Sequence, residues 1–526
     1  MTAFVASPCD TGVIRGSPCT SPSPPIASPW ILAATIIASS MAFIDGTVVN
    51  VALPALQREL SASLVDVQWV VESYALFLAA LLLVGGAAGD RFGRRRVFLI
   101  GVALFAAASA WCGLAGSVRQ LIAARAVQGV GAALLVPGSL AIISASFDEQ
   151  SRGKAIGTWS GASALMAALG PVFGGWLIDH LSWRAAFFIN VPLAVAVLFL
   201  TVRYVPESSN ADARGDLDWP GASLVTVGLG GIVYGLIESP LNGWTHPAVI
   251  IALIVGVSAL AGFLMVERRQ ATPMLPLELF RSSTFSGANL LTFLLYGALG
   301  GSLFFLPLDL IQVHHYSTTA AGAALLPFVL LLSLLSRWSG GLINRYGAQR
   351  PLIVGPVIVA VGFALFAVPG TAGNYWLTFF PAAVVLGFGM AISVAPLTTA
   401  VLDAVDARFA GAASGINNAA SRVSALIAVA VFGLIMTPIF NRTLDAALQR
   451  AVPDAAIITA IDQQRSRLAA IELPSNVDAQ TKAAAQDAIA HAFVAGFRAI
   501  MLISATLALG GAASAWILIR SSDRNG

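Results

Sequence analysis

Charge is scarce in this chain. Of its 526 residues only 10% are Asp, Glu, Lys or Arg, 57% are hydrophobic, and mean hydropathy is +0.82. So little charge excludes a string of soluble domains, because soluble folds need polar faces; it fits bilayer spans of ~20 apolar residues. The net charge of +3 is too small to point to nucleic acid. Cysteine is nearly absent as well. Cys9, Cys19 and Cys112 show neither metal-ligand spacing nor a disulfide framework, and Cys112, in an apolar run, reads as an inert packed thiol. There is no Gly-x-x-x-x-Gly-Lys-Ser/Thr loop, so ATP does not drive the protein directly. With no zinc motif and no nucleophile elbow in view, no enzymatic activity, metal or cofactor is expected. Residues 1–28 are rich in Ser and Pro and lack an apolar h-region; they read as a disordered tail rather than a cleaved signal.

What the chain does have is apolar runs. About fourteen are long enough to span, from 30–52 to 493–519. In lipid each must pair its own backbone amides, so the fold class is all-α and polytopic. With the N-terminus inside, the inner segments hold Arg91, Arg94, Arg95, Arg96, Arg152, Lys154, Arg203, Arg268 and Arg269, among others. The short outer loops hold only Arg58, Arg119 and Arg184. That asymmetry predicts a multi-pass protein of the cytoplasmic membrane with both termini in the cytoplasm.

A repeat divides the spans. "GGLINRYGAQR" at 340–350 matches "GAAGDRFGRRR" at 86–96, aligning Gly340, Arg345, Gly347 and Arg350 with Gly86, Arg91, Gly93 and Arg96. Both follow an even-numbered span, as parallel repeats require. The expected layout is a six-helix bundle over 29–206, an inserted pair of spans over 207–280, and a second bundle over 281–437. A long hydrophilic outer loop over 438–492 and a last span with its tail over 493–526 complete it. Within 438–492 two amphipathic helices are expected to rest on the outer surface.

These residues resemble the major facilitator superfamily, and within it the fourteen-span drug–proton antiporters of bacteria. "GAAGDRFGRRR" is similar to the family's loop 2–3 signature, "RAVQGVGAA" from Arg125 to its helix-4 motif, "GPVFGG" at 170–175 to its helix-5 antiporter motif, and "IDGTVVNVALP" at 44–54 to its helix-1 motif. The resemblance implies two six-helix bundles plus two inserted helices. It also implies a proton-driven exporter of drugs, antibiotics or other small lipophilic compounds that works by alternating access; the sequence does not set the oligomeric state, and a single chain is expected to suffice for function. A polar-metabolite transporter and a non-transporting receptor are the alternatives. The chain departs from the pattern at Met166, where glycine is frequent, and at Asn344, where the repeat has lost its acid.

Candidate residues follow. Asp45 lies mid-run in the first span, where an acid costs ~2.5–3.5 kcal/mol on insertion scales and persists mostly against a cavity or partner; it is the proton-coupling candidate. Arg125, about 9 Å along the fourth span, could snorkel to the interface; the helix-4 motif implies instead an inward-facing guanidinium that helps proton release, with Gln128 a turn on as its polar neighbour. A latch is expected from Gly86, Asp90, Arg91, Gly93, Arg94 and Arg95, and more weakly from Asn344 and Arg345; the resemblance implies that Asp90 makes it against the start of the thirteenth span. Gly85, Gly89 and Gly93, four residues apart, are expected to let the second span pack closely. Gly170, Pro171, Gly174 and Gly175 mark a kinked, tightly crossing fifth span. Phe43, Glu72, Tyr74, Phe293, Tyr296 and Asp309 are cavity candidates. Asn417, Asn418 and Arg422 stay open between packing and function.

Overall fold

The computed structural model describes residues 29–519, apart from 210–217, 271–272, 274, 407–408, 452–454 and 475–476. The Ser/Pro-rich tail 1–28 and Arg408 of an inner segment lie outside those residues, as does the side chain of Asn344. Among the described residues fourteen helices are long and apolar enough to cross a membrane. In chain order these are α1 (Pro29–Glu59), α2 (Leu64–Phe92), α3 (Arg94–Leu114), α4 (Val118–Ser146) and α5 (Glu149–His180). A short turn, Ala185–Phe188, leads into α6 (Asn190–Tyr204), followed by α7 (Trp219–Asn242) and α8 (Pro247–Glu267). Next comes α9 (Ser283–Leu308), prolonged by a π turn over Asp309–Val313; α10 follows in two pieces, Thr318–Ala323 and Leu326–Gly340. The chain ends with α11 (Gln349–Phe366), α12 (Phe379–Asp403), α13 (Ala410–Ala451) and α14 (Ala479–Leu518).

Local chemistry sets the boundaries. Ser63 and Asp66 close a capping box at the start of α2: Asp66 N–H donates to Ser63 Oγ (3.1 Å) and Ser63 N–H donates to Asp66 Oδ2 (2.9 Å). Gly93, at φ +105°, turns α2 into α3 in a conformation that favours glycine. Asp478 caps α14 through the Gln480 and Thr481 amides.

Packing repeats span for span. α2 and α3 both pack on α4, and α1 packs on α5 and α6. Eight spans later, α10 and α11 both pack on α12, and α9 packs on α13 and α14. The inserted α7 and α8 pack on each other, and α7 leans on α2 and α13, along the seam between the halves. An even number of crossings returns the chain to its starting side, here the terminal face; the other is the far face.

The far face corrects the expected 438–492 loop. α13 is 42 residues long and α14 is 40. At 1.5 Å per residue each is about 60 Å, twice the ~30 Å hydrocarbon thickness, so both project well beyond a bilayer. The predicted second amphipathic helix is simply the start of α14. The first is broken: Ala455–Asp462 is helical, but the following turn over Arg465–Ala470 kinks at Leu468, whose φ is +55°. This hairpin buries Leu444, Leu448, Ile457, Ile461, Leu468 and Ile489 and continues the apolar core of the bundles outward. Arg465 bridges Asp445 and Asp462 across it. It is a packed cap, not a pair of helices lying on a surface.

Candidate functional site

Asp45 sits near the midpoint of the 31-residue α1 and is 1% exposed. Three donors from two other helices reach its carboxylate. Arg125 forms an ion pair with it; Gln128 Nε2 donates to Oδ1 at 2.9 Å, and Asn190 Nδ2 donates to the same oxygen at 3.4 Å. Arg125 is also 1% exposed. Its Nε donates to the Val70 carbonyl (3.1 Å), its Nη1 also donates to Gln128 Oε1 (2.8 Å), and its carbon centre lies 4.2 Å from the Tyr74 ring centroid. Tyr74 is held in turn by its hydroxyl, which donates to the Ala42 carbonyl at 3.2 Å. Asn190 also donates to Ser109 Oγ, and Cys112 Sγ lies 3.6 Å from Gln128 Oε1. One carboxylate therefore ties α1, α2, α3, α4 and α6 together.

The arrangement follows from the expense of buried charge. Removing either member of such a pair leaves the other uncompensated, a loss of about 3–5 kcal/mol. The guanidinium, however, is housed by more than its acid. A carbonyl, an amide oxygen and an aromatic face also hold it.

Beside this core, a cavity of about 490 Å³ opens between the halves. Phe43, Leu83, Pro137, Leu140 and Trp159 wall it from the first half, and Ser414, Asn418 and Arg422 from α13. Its outermost residues, Gly86, Ser144 and Gly411, lie at helix ends on the terminal face. The far face is closed by contacts across the halves. Asp179, at the end of α5, accepts the Thr318 and Thr319 amides (3.0 and 2.8 Å) and the Thr319 hydroxyl (2.6 Å) at the start of α10. Gln312 Nε2 donates to Gln57 Oε1 at 2.8 Å, and Gln68 Nε2 donates to the Val429 carbonyl at 2.8 Å. The molecule is therefore open toward the terminal face and shut at the other.

Residues 35–429 match the family described as the Major Facilitator Superfamily. The chain belongs to that superfamily. It is 35% identical to multidrug resistance protein Stp of Mycobacterium tuberculosis (strain CDC 1551 / Oshkosh), across 91% of this chain and 90% of that protein. It is 33% identical to the tetracenomycin C resistance and export protein of Streptomyces glaucescens, across 93% and 91% of the two chains. The methylenomycin A resistance protein of Bacillus subtilis (strain 168) is 35% identical, across 75% and 85%. In fold the chain is similar to a bacterial homologue of the human lysosomal transporter Spinster, solved inward-facing and unoccupied, with a TM-score of 0.64 at 17% identity over 93% of this chain and 98% of that one. The chain is a multi-pass membrane transporter of small molecules.

Within this superfamily fold the helix-5 motif has a clear mechanical reading. A Cβ on Gly170 would meet Thr47 and Ile44, and one on Gly174 would meet Val48, so two glycines four apart seat α5 on α1. Gly175 faces the other half, against the Thr318 carbonyl, and Gly322 of α10 returns the contact on the Pro171 carbonyl. Met166 packs with Ile44, Val48 and Ala186.

The loop motif differs from expectation. Asp90 does not reach α13 here; Arg94, four residues on, takes its Oδ1 at 2.7–2.8 Å. The anion at a helix start is instead Glu207, which follows α6 and accepts the Arg95 and Arg96 amides (3.1 and 3.2 Å) at the start of α3. The Arg95 guanidinium donates to the Val202 carbonyl at 2.7 Å, which fixes the loop within its own half. Arg91 and Arg345 are exposed. Of the three spaced glycines only Gly85 permits close packing, against the Ala133 carbonyl; Gly89 has ordinary contacts, Gly93 serves the turn, and Gly86 faces the cavity.

Of the cavity candidates, Phe43 lines the cavity. Tyr74 and Gln128 belong to the Asp45 core. Glu72 is buried within α2 with no hydrogen-bond partner for Oε2, and Asp309 is buried in the π turn 3.5 Å from His314. Phe293 is exposed, and Tyr296 packs against the core of the second half. Asn417 donates to Asn289 and Thr292 of α9, whereas Asn418 and Arg422 line the cavity. Sequence reasoning missed Asn190, Asp179 and Glu207. Asn190 and Asp179 sit at helix ends and Glu207 just beyond one, where a polar residue is ordinary and carries no signal of its distant partner.

Proposed function

We propose that the protein is a proton-coupled antiporter that exports drugs, antibiotics among them, across the bacterial cytoplasmic membrane. Both termini and the open cavity face the cytoplasm, as the arginine-rich loops of that face support. The observation that carries the reading is the sealed Asp45–Arg125 pair beside a cavity with mostly apolar walls. A titratable acid in the bundle core can hold a proton while the cavity, which Asp45 does not line, holds the compound. The resistance and export names of the relatives support the direction and the cargo class.

The cycle follows from the two ends of the molecule. In the state seen here, Asp179 caps α10 and holds the far face shut while the compound enters from the cytoplasm. Rocking of the halves then breaks that cap. Asp90, released from Arg94, then takes the mirror role on the cytoplasmic side, toward the start of α13. Protonation of Asp45 from outside weakens its hold on Arg125 and resets the first half.

Everted membrane vesicles test this. With an acidified lumen, a fluorescent amphiphile should accumulate with the wild type and fail to accumulate once a protonophore collapses the gradient. Accumulation indifferent to the protonophore would refute proton coupling.

A further inference from the structure

The described residues lining the central cavity carry one formal charge, and it is positive. Arg422 lies twelve residues into α13, about 18 Å at 1.5 Å per residue, which is mid-span. Gly411, Gly415, Asn418 and Arg422 recur every three or four residues, with Ser414 beside them, so they share the helix face that looks into the cavity. Arg125 has Asp45 as its counter-charge, but Arg422 has no ion pair or hydrogen bond among the described residues. Its partial exposure is toward the cavity. Glu72, the unpartnered acid of α2, does not line the cavity and offers a bound cation nothing.

A guanidinium at that depth is costly in the membrane, and it persists where a cavity or partner receives it. Opposite it lie the rings of Phe43 and Trp159, the latter fixed by its indole N–H donating to Ser39 Oγ at 3.0 Å. A volume of about 490 Å³ suits one small molecule. We propose that this cavity selects amphiphilic organic anions, an aromatic or polycyclic body bearing a carboxylate or a comparably acidic oxygen, and that Arg422 is the anchor for the anionic head. The planar guanidinium can take a carboxylate through two parallel N–H donors, and Asn418, one turn away, adds a polar neighbour. A cationic amphiphile of the same body would meet like charge with no carboxylate to offset it. The inference rests on the transport reading above and narrows its cargo.

A matched pair of probes separates the two. 4-(1-Pyrenyl)butyrate and 3-(1-pyrenyl)propyl-trimethylammonium share a pyrene and a three-methylene linker and differ in the sign of the head. Binding to the full chain in nanodiscs is read by pyrene fluorescence anisotropy, and transport is read in everted vesicles. The wild type should bind the anion more tightly than the cation. Arg422→Gln should weaken anion binding at least about tenfold, the loss expected for a charge-assisted contact, and Arg422→Lys should recover part of it. Cation binding should not fall in Arg422→Gln. A melting temperature equal to the wild type's confirms that each variant is folded. Tighter wild-type binding of the cation, or anion binding unchanged in Arg422→Gln, overturns the anion assignment. If the anion binds as expected but neither probe accumulates under an acid-lumen gradient, the assignment stands and the transport reading falls.

Discussion

At Asp45 two kinds of substitution separate charge from acceptor. Asp45→Asn keeps an oxygen for Arg125 and Gln128 but cannot titrate. The variant should insert and fold, still exchange substrate down its gradient, and lose proton-driven accumulation; wild-type accumulation would remove Asp45 from the coupling role. Asp45→Leu leaves Arg125 buried without its counter-charge and should lower stability by about 3–5 kcal/mol, seen as a reduced melting temperature in detergent. Sequence reasoning could reach Asp45 and Arg125 because a charge inside an apolar run is conspicuous. It could not reach Asn190 or Tyr74 as their supports, because neither residue is unusual where it stands. Glu207 was hidden for a related reason: its work is done at the start of α3, more than a hundred residues earlier in the chain.

Elements are where the sequence was most legible. Fourteen apolar runs became fourteen helices, and the matched loop motifs became matched packing of α1–α6 and α9–α14. Legibility failed where hydropathy stopped being the determinant. α13 and α14 run on past the bilayer because their polar extensions bury Leu444, Leu448 and Ile489 against each other, a tertiary reward that a hydropathy window does not register. The glycines of α5 allow a prediction at this scale. Gly174 meets Val48 within its own half, whereas Gly175 meets Thr318 across the halves. Gly174→Val should therefore lower overall stability by about 1–3 kcal/mol through overpacking. Gly175→Val should act mainly on the closed far face, so maleimide labelling of a cysteine placed on that side should speed up. Equal labelling in the two variants would mean that α5 does not distinguish its two neighbours.

For the whole molecule, what matters is the balance between two closed ends. On the far face, Asp179 accepts two amides and a hydroxyl from α10, a charge-assisted contact that exists only while the halves meet there. On the terminal face, Asp90 is occupied by Arg94 and the cavity is open. If these acids serve as alternate fasteners, weakening one must populate the state held by the other. Asp179→Asn retains size and one acceptor but loses the charge. Part of the site is exposed, so the expected shift is on the order of 1 kcal/mol, roughly fivefold, toward the outward-open form. Spin labels at Gly116 and Ala372, in far-face loops of the two halves, would report it as a longer distance component. Asp90→Asn should act in the opposite sense and deplete whatever outward-open population the wild type has. Combining the two should return the distribution toward that of the wild type, because each removes a bias of opposite sign. Distances indifferent to Asp179→Asn would leave the far-face contact as packing alone, and closure would then have to reside in the Gly175–Thr318 and Gly322–Pro171 approaches of α5 and α10.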